Sequence, residues 1–260
     1  MPSTEAGERV YAIGDVHGCY DLLRQLLDRI GEHSQSLPPA RALHIVVLGD
    51  IVDRGPQSAA VIELLHDLQN RTGSLVVLRG NHEDAMLQGI DGDLDALRAW
   101  LGVGGAETSR SFGLAPLQTG EDPLTYLRQL RATIPRSWLA WLRGLPLSVR
   151  SGDYFFTHAG IRPGVPLRRQ SRQDLLWIRD EFLSDARDHG AVIVHGHSIR
   201  AEVEMLPNRI GVDTGAYLTG VLTALYLEGE AREILSVGAG ETVAPRLAPS
   251  LGPGFAPRCA

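Results

Sequence analysis

Three polar clusters constrain this chain more than any other feature: Gly14-Asp15-Val16-His17-Gly18, Gly49-Asp50-Ile51-Val52-Asp53-Arg54-Gly55 and Gly80-Asn81-His82-Glu83. Each directly follows a short apolar run: VYAI at 10 to 13, HIVVL at 44 to 48 and LVVL at 75 to 78. Two further runs, YFFT at 154 to 157 and AVIVH at 191 to 195, lead into His158-Ala159-Gly160 and Gly196-His197-Ser198. Near-continuous apolar runs of this length suit strands buried on both faces. Helices are expected between the first three. Tyr20 to His33 places Leu22, Leu23, Leu26, Leu27 and Ile30 at helical spacing, and Ser58 to Asn70 does so with Val61, Ile62, Leu65 and Leu68. Strand, polar turn and helix therefore alternate, which predicts an α/β fold. In open α/β sheets, ligands collect beyond the carboxyl ends of the strands, where these polar residues fall, so they are candidates for one shared site.

From Met86 to Pro146 the strand pattern gives way to Leu, Trp and charged residues at helical spacing, with Asp122-Pro123 reading as an N-cap followed by Pro at the first helical position. This segment is expected to be a helical insertion. The stripe Trp138, Leu139, Trp141, Leu142 reads as packing, and the insertion as the place where substrate is selected. A hairpin is expected from LSVR and YFFT across Ser151-Gly152-Asp153, a helix from Arg172 to Leu183, and further strands at RIGVD and VLTALYLEG. Residues 239–260 carry Pro245, Pro249, Pro253 and Pro257 with few packing residues and read as a disordered tail after a catalytic domain of residues 1–238.

All 25 basic residues are Arg and none is Lys. That excludes the P-loop and kinase lysines, the Schiff-base lysine of pyridoxal enzymes and Ser-Lys hydrolases; a phosphate clamp must use Arg, metal, His or backbone N–H groups. The net charge of -6 gives no general attraction to nucleic acid or anionic membrane, and neither is expected as a partner. Two cysteines, Cys19 and Cys259, cannot make a disulfide framework or a four-cysteine zinc site. With no signal-peptide pattern in MPSTEAGERV and no long apolar stretch, a cytoplasmic location is expected.

Asp15 and His17 stand two apart on a turn just after a strand, so both can point to one centre while Gly14 and Gly18 permit a tight backbone. Carboxylate and imidazole together suit Zn, Mn or Fe. The strings D-x-H-G, G-D-x-x-D-R-G and G-N-H-E, in this order, resemble the phosphoprotein phosphatase family of calcineurin-like metallophosphoesterases. The resemblance extends to His158 and His197 and spans about residues 9 to 227.

That resemblance implies a two-sheet β-sandwich flanked by helices, with two divalent metals between strand ends. It places Asp15 and His17 on the first metal, Asp50 bridging both, and Asn81, His158 and His197 on the second. Two divalent ions against two aspartates and one hydroxide leave residual positive charge, which binds a phosphate dianion and acidifies the bridging water. It further implies that Arg54 and Arg179 clamp phosphate bidentately, that a metal-bridging hydroxide attacks phosphorus in line, and that His82, oriented by Asp53, protonates the leaving group. Manganese is the expected metal, with Fe or Zn as alternatives. Glu83 reads as a supporting group, His195 as either a support to the ligands or structural, and Cys19 as a small residue opening a helix; Asp213 has no assigned role.

The implied activity is hydrolysis of phosphoserine and phosphothreonine, as in bacterial serine/threonine protein phosphatases. The alternative is a dinucleoside tetraphosphatase or another small-molecule phosphohydrolase. In symmetrically cleaving tetraphosphatases the corresponding motifs typically read V-A-R-G and G-N-H-D; Asp53 and Glu83 depart from both, which favours the phosphatase. The intact ligand set argues against a more remote alternative, an inactive phosphate-binding module.

Overall fold

The computed structural model describes residues 1–238, so the expected tail at 239–260 lies outside the described residues. The chain opens with β1 (Glu8–Ile13), α1 (Tyr20–Ser36), β2 (Ala42–Val47), α2 (Ser58–Arg71) and β3 (Leu75–Val77). Helices then occupy the segment expected to be an insertion: α3 (Asn81–Asp91), α4 (Leu94–Trp100), a kinked turn (Leu101–Gly105), α5 (Ala106–Ser111), α6 (Pro123–Thr133) and α7 (Arg136–Gly144). The chain returns to strands with β4 (Ser148–Ser151) and β5 (Tyr154–Thr157), followed by α8 (Arg172–Trp177), α9 (Asp180–Leu183), β6 (Val192–His195), β7 (Glu204–Met205) and β8 (Arg209–Gly211). The described residues end with α10 (Ala216–Thr219), β9 (Val221–Glu228) and β10 (Ala231–Gly238).

Two five-stranded sheets result, ordered β10-β9-β1-β2-β3 and β4-β5-β6-β8-β7. Within the first, β1, β2 and β3 are parallel and β9 runs antiparallel to β1. Period-two alternation sends Val10, Ala12, Val46, Leu48 and Val76 into a core shared with Phe156, Val194, Ile210 and Leu225. Their neighbours Tyr11, Ile13, Ile45 and Val47 pack with Leu23, Leu26, Ile62, Leu65 and Trp100 on the opposite face. The second sheet packs Phe155 and Ile193 against Leu175, Ile178 and Phe182. Strands covered on both faces explain the near-continuous apolar runs, and the fold is an α/β two-sheet sandwich flanked by helices.

Asp122 caps α6 as its sequence suggests, accepting from the N–H groups of Leu124 (3.2 Å) and Thr125 (3.1 Å). Trp138 and Trp141 are partly buried against the core. No described helix is long and apolar enough to cross a membrane.

The structure corrects the continuous helix expected from Arg172 to Leu183. In such a helix the Arg179 N–H would donate to the Leu175 carbonyl; here that carbonyl accepts from the Ala159 N–H at 2.9 Å. The helix therefore ends at Trp177, Ile178 turns extended (φ -61, ψ 143), and Arg179 sits in the break (φ -133, ψ -99) before α9. Strand β10 was not anticipated. Only Leu235 and Val237 of AREILSVG are buried, and its exposed positions dilute the apolar signal.

Leu225 is fully buried between the sheets. Leu225→Ala is expected to lower stability by about 2–5 kcal/mol, read as a lower midpoint in urea unfolding followed by circular dichroism.

Candidate metal centre and active site

Among the described residues, the five non-glycine residues with positive φ are His17 (45°), Asp50 (46°), Asp53 (73°), Arg54 (68°) and His197 (61°). All five were singled out from sequence. Left-handed backbone at a non-glycine residue costs on the order of 1–3 kcal/mol and persists only where the surroundings over-determine it. The surroundings here are specific. The Asp50 carbonyl accepts from the N–H groups of Val16 (3.1 Å) and His17 (2.8 Å), tying the turn after β1 to the turn after β2. Glu83, on the first turn of α3, accepts four backbone N–H bonds: from Asp50 (3.0 Å) and Gly80 (2.8 Å) at Oε2, and from Ile51 (2.9 Å) and Val52 (3.1 Å) at Oε1. Glu83 thus fixes the turn after β2 to the turn after β3, a larger role than the supporting one read from sequence. Glycines let the carboxylates approach the backbone. A Cβ at Gly80 would collide with the Asp50 carboxylate, and one at Gly196 with that of Asp15.

Two compact, buried groups share Asp50: His17, Asp50 and His82, and Asp50, His158 and His197, with the ligand atoms of each group within 4.8 Å of one another. Nε2 of His17 lies 3.6 Å from Asp50 Oδ2, and Nε2 of His158 lies 3.5 Å from Oδ1. Asn81 joins the second group, its Oδ1 2.8 Å from His158 Nε2. Asp15 is in neither group. Its two oxygens each accept from the His197 N–H at 3.1 Å, and it faces Asp213.

The tautomers follow from the partners. Nδ1 of His17 and of His158 lie 2.8 Å from the Val52 carbonyl and 3.0 Å from the Leu48 carbonyl; a carbonyl only accepts, so each Nδ1 carries the proton. In the neutral ring the Nε2 lone pair then points at Asp50. Burial holds His17 down to about 3, His197 to about 2 and His158 below the usual imidazole range, which keeps these rings neutral near pH 7. Nε2 of His197 is buried without a hydrogen-bond partner among the described residues.

Neutral imidazoles with free lone pairs around a carboxylate, and an amide oxygen facing one of them, make a donor set that fits divalent cations. The surrounding acids fit it as well. Burial, Asp213 and Asp50 push Asp15 well above the usual carboxylate range, and burial raises Asp213 to about 6. Mutually repelling buried carboxyls are stabilised by cations in the same pocket.

His82 is held differently. Its Nδ1 lies 2.6 Å from Asp53 Oδ2, and its Nε2 faces Asp50 at 3.9 Å. Burial opposes charge on the ring, but Asp50 and Asp53 outweigh it and raise its pKa. Asp53 is also bound by Trp100 and Thr108, neither of which the sequence reading found. Arg54 is half-buried beside the first group, with Nη1 3.0 Å from His17 Nε2 and its guanidinium 4.7 Å from the centre of the Tyr217 ring. A metal on that nitrogen would release Arg54 from His17. Arg179 is exposed near the second group, close enough to His158 and His197 to disfavour their charging. Tyr217, missed from sequence, also meets His17 edge-on at 5.1 Å; its one signal was its place just after Asp213-Thr214-Gly215-Ala216. His195 lies apart, its Nδ1 3.1 Å from the Gly196 carbonyl and its ring edge-on to Phe182.

A two-sheet sandwich whose strand ends gather two histidine groups around one buried aspartate defines the metallophosphoesterase class of hydrolases. The chain belongs to the calcineurin-like phosphoesterase family, whose pattern it matches over residues 8–217. It is 34% identical over 154 residues to the symmetrical bis(5'-nucleosyl)-tetraphosphatase of Methylococcus capsulatus, covering 59% of this chain and 44% of that protein. The chain thus spans less than half the length of that relative. It is 28% identical over 232 residues to the asymmetrical bis(5'-nucleosyl)-tetraphosphatase PrpE of Halalkalibacterium halodurans, covering 82% of this chain and 87% of that protein. A crystal structure of a candidate diadenosine tetraphosphatase shares the fold, with a TM-score of 0.62 and 22% identity over 92% of this chain and 97% of that one.

After incubation with a divalent metal such as manganese, Asp50→Asn is expected to retain less metal by elemental analysis and to show a smaller metal-dependent rise in Tm than the parent protein. Full two-metal stoichiometry with an unchanged rise in Tm would show that Asp50 does not join the two groups. Glu83→Gln places an amide N–H₂ against backbone N–H groups and is expected to cost about 1–3 kcal/mol, measured by urea unfolding of the metal-free protein.

Proposed function

We propose that this protein is a metal-dependent hydrolase of dinucleoside polyphosphates. The observation that carries this reading is the likeness to PrpE, which runs through most of both chains. The preference for a serine/threonine phosphatase rested on Asp53 and Glu83 as discriminating residues. Both are fully buried and bonded to the protein itself, so neither meets a substrate directly, and direct contact with substrate is no ground for that preference.

In this reading Asp15, His17, Asp50, Asn81, His158 and His197 hold two divalent ions, with manganese proposed and Fe or Zn also suited to the O and N donors. When bound, such ions polarise phosphoryl oxygens and acidify water. Arg54, beside His17, and Arg179, near His158 and His197, bind phosphate oxygens through planar guanidinium forks. His82 holds a proton on Nε2, kept there by Asp53 at Nδ1, and gives it to the leaving oxygen. Residues 1–238 form the catalytic domain, and the helical segment at 86–146 shapes substrate choice.

One observation favours a second reading, a phosphoserine/phosphothreonine phosphatase. The close His82 and Asp53 pair suits an alkoxide leaving group, which needs protonation more than a nucleotide phosphate does. The test compares manganese-dependent cleavage of diadenosine tetraphosphate with phosphate release from a phosphoserine and phosphothreonine peptide panel, using Asp15→Asn as the blank. Higher kcat/KM for the dinucleotide is expected. Two ADP, or ATP with AMP, then give the position of cleavage, while preference for the peptides would transfer the assignment to the second reading.

A further inference from the structure

The helical segment between β3 and β4 reaches into the site, and its contacts fall on Asp53 and Arg54. Asp53 is fully buried, and its carboxylate receives three side-chain donors. Trp100 Nε1 donates to both oxygens, at 3.0 Å and 2.9 Å, Thr108 Oγ1 donates to Oδ1 at 2.7 Å, and His82 Nδ1 lies 2.6 Å from Oδ2. Thr108 Oγ1 also accepts from the Asp53 N–H at 2.8 Å, and the Gly104 carbonyl accepts from the Arg54 N–H at 3.2 Å. Trp100, Gly104 and Thr108 belong to one short stretch built around the kink at Leu101–Gly105, where Gly104 leaves helical geometry (φ 127, ψ -5). Gly105 admits the Trp100 indole against the backbone, where a Cβ would collide with the ring.

We infer that Trp100 and Thr108 are positioning residues for the proton donor, acting through Asp53. The inference rests on the reading of His82 as that donor. Asp53 and Arg54 both have left-handed backbone, which needs external bonds to persist. The segment supplies them on the side chain of one residue and the main chain of both. With Oδ1 held by Thr108 and the carboxylate plane set by the indole N–H that bridges both oxygens, Oδ2 keeps a lone pair directed at His82, which fixes the ring and the direction of Nε2. The same stretch therefore aligns the donor and the backbone of a phosphate-binding arginine. Because it lies within the segment expected to meet substrate, movement there would reach the leaving-group proton directly.

The test uses the manganese enzyme with phenyl phosphate and p-nitrophenyl phosphate, whose leaving groups differ in their need for a proton. His82→Ala is expected to lower kcat on phenyl phosphate by about 100-fold or more and on p-nitrophenyl phosphate by far less. Thr108→Val and Trp100→Phe should shift the ratio of the two kcat values in the same direction by about tenfold, and Thr108→Ser should restore it. Equal losses on both substrates in Thr108→Val and Trp100→Phe, with His82→Ala still selective, would overturn the inference and leave the donor assignment intact. Equal losses in His82→Ala would instead overturn the donor assignment, and the inference with it. In the zinc-loaded protein, the downfield proton resonance that His82→Ala removes should move upfield in Thr108→Val and Trp100→Phe. An unchanged resonance would mean that neither residue positions the pair.

Discussion

Burial of the Asp50 carboxylate at the meeting point of five strand-end turns is the constraint on which the rest of the site depends. A buried carboxylate is tolerated only with compensating donors or cations, and this one has the His82 backbone N–H at 3.0 Å and the rings of His17, His82 and His158 within 4 Å. Its own backbone is left-handed, as are those of His17 and His197 facing it. The four N–H bonds to Glu83 and the cross-turn bonds to the Asp50 carbonyl hold that geometry, so the strain is local and its support is distributed over several elements.

Under the proposed function, the same arrangement lets an acidic protein take an anionic substrate. The net charge of -6 gives no long-range attraction to phosphate, so recognition has to be local. Arg54 and Arg179 flank the two histidine groups from different elements, and the neutral histidines leave their lone pairs for cations rather than adding fixed charge. Arg54 is the more closely held, with the Tyr217 ring beneath its guanidinium. Arg179 is exposed in the break between α8 and α9 and is the less constrained of the two.

The helices between β3 and β4 are part of the site's scaffold as well as a candidate surface for substrate. Through Trp100, Gly104 and Thr108 they bind the turn after β2, and Leu127, Leu130 and Leu142 join the core that also holds α1 and α2.

The strands and first helices were legible because their signals are local: apolar runs for strands covered on both faces, and three-to-four spacing for α1 and α2. The polar residues after those strands were legible for the same reason, since a turn that must carry Asp, His and Gly in close order leaves its pattern in a few adjacent positions. That much the sequence by itself determined, including the exclusion of lysine chemistry. The tertiary structure decided what depends on partners far along the chain. Ala159 takes the carbonyl that would have continued a helix through Arg179; Trp100 and Thr108 reach Asp53 across 47 and 55 residues; and the backbone of three turns converges on Glu83 or Asp50. No local periodicity encodes these contacts. They exist only once two sheets have closed over a shared core and brought the strand ends together.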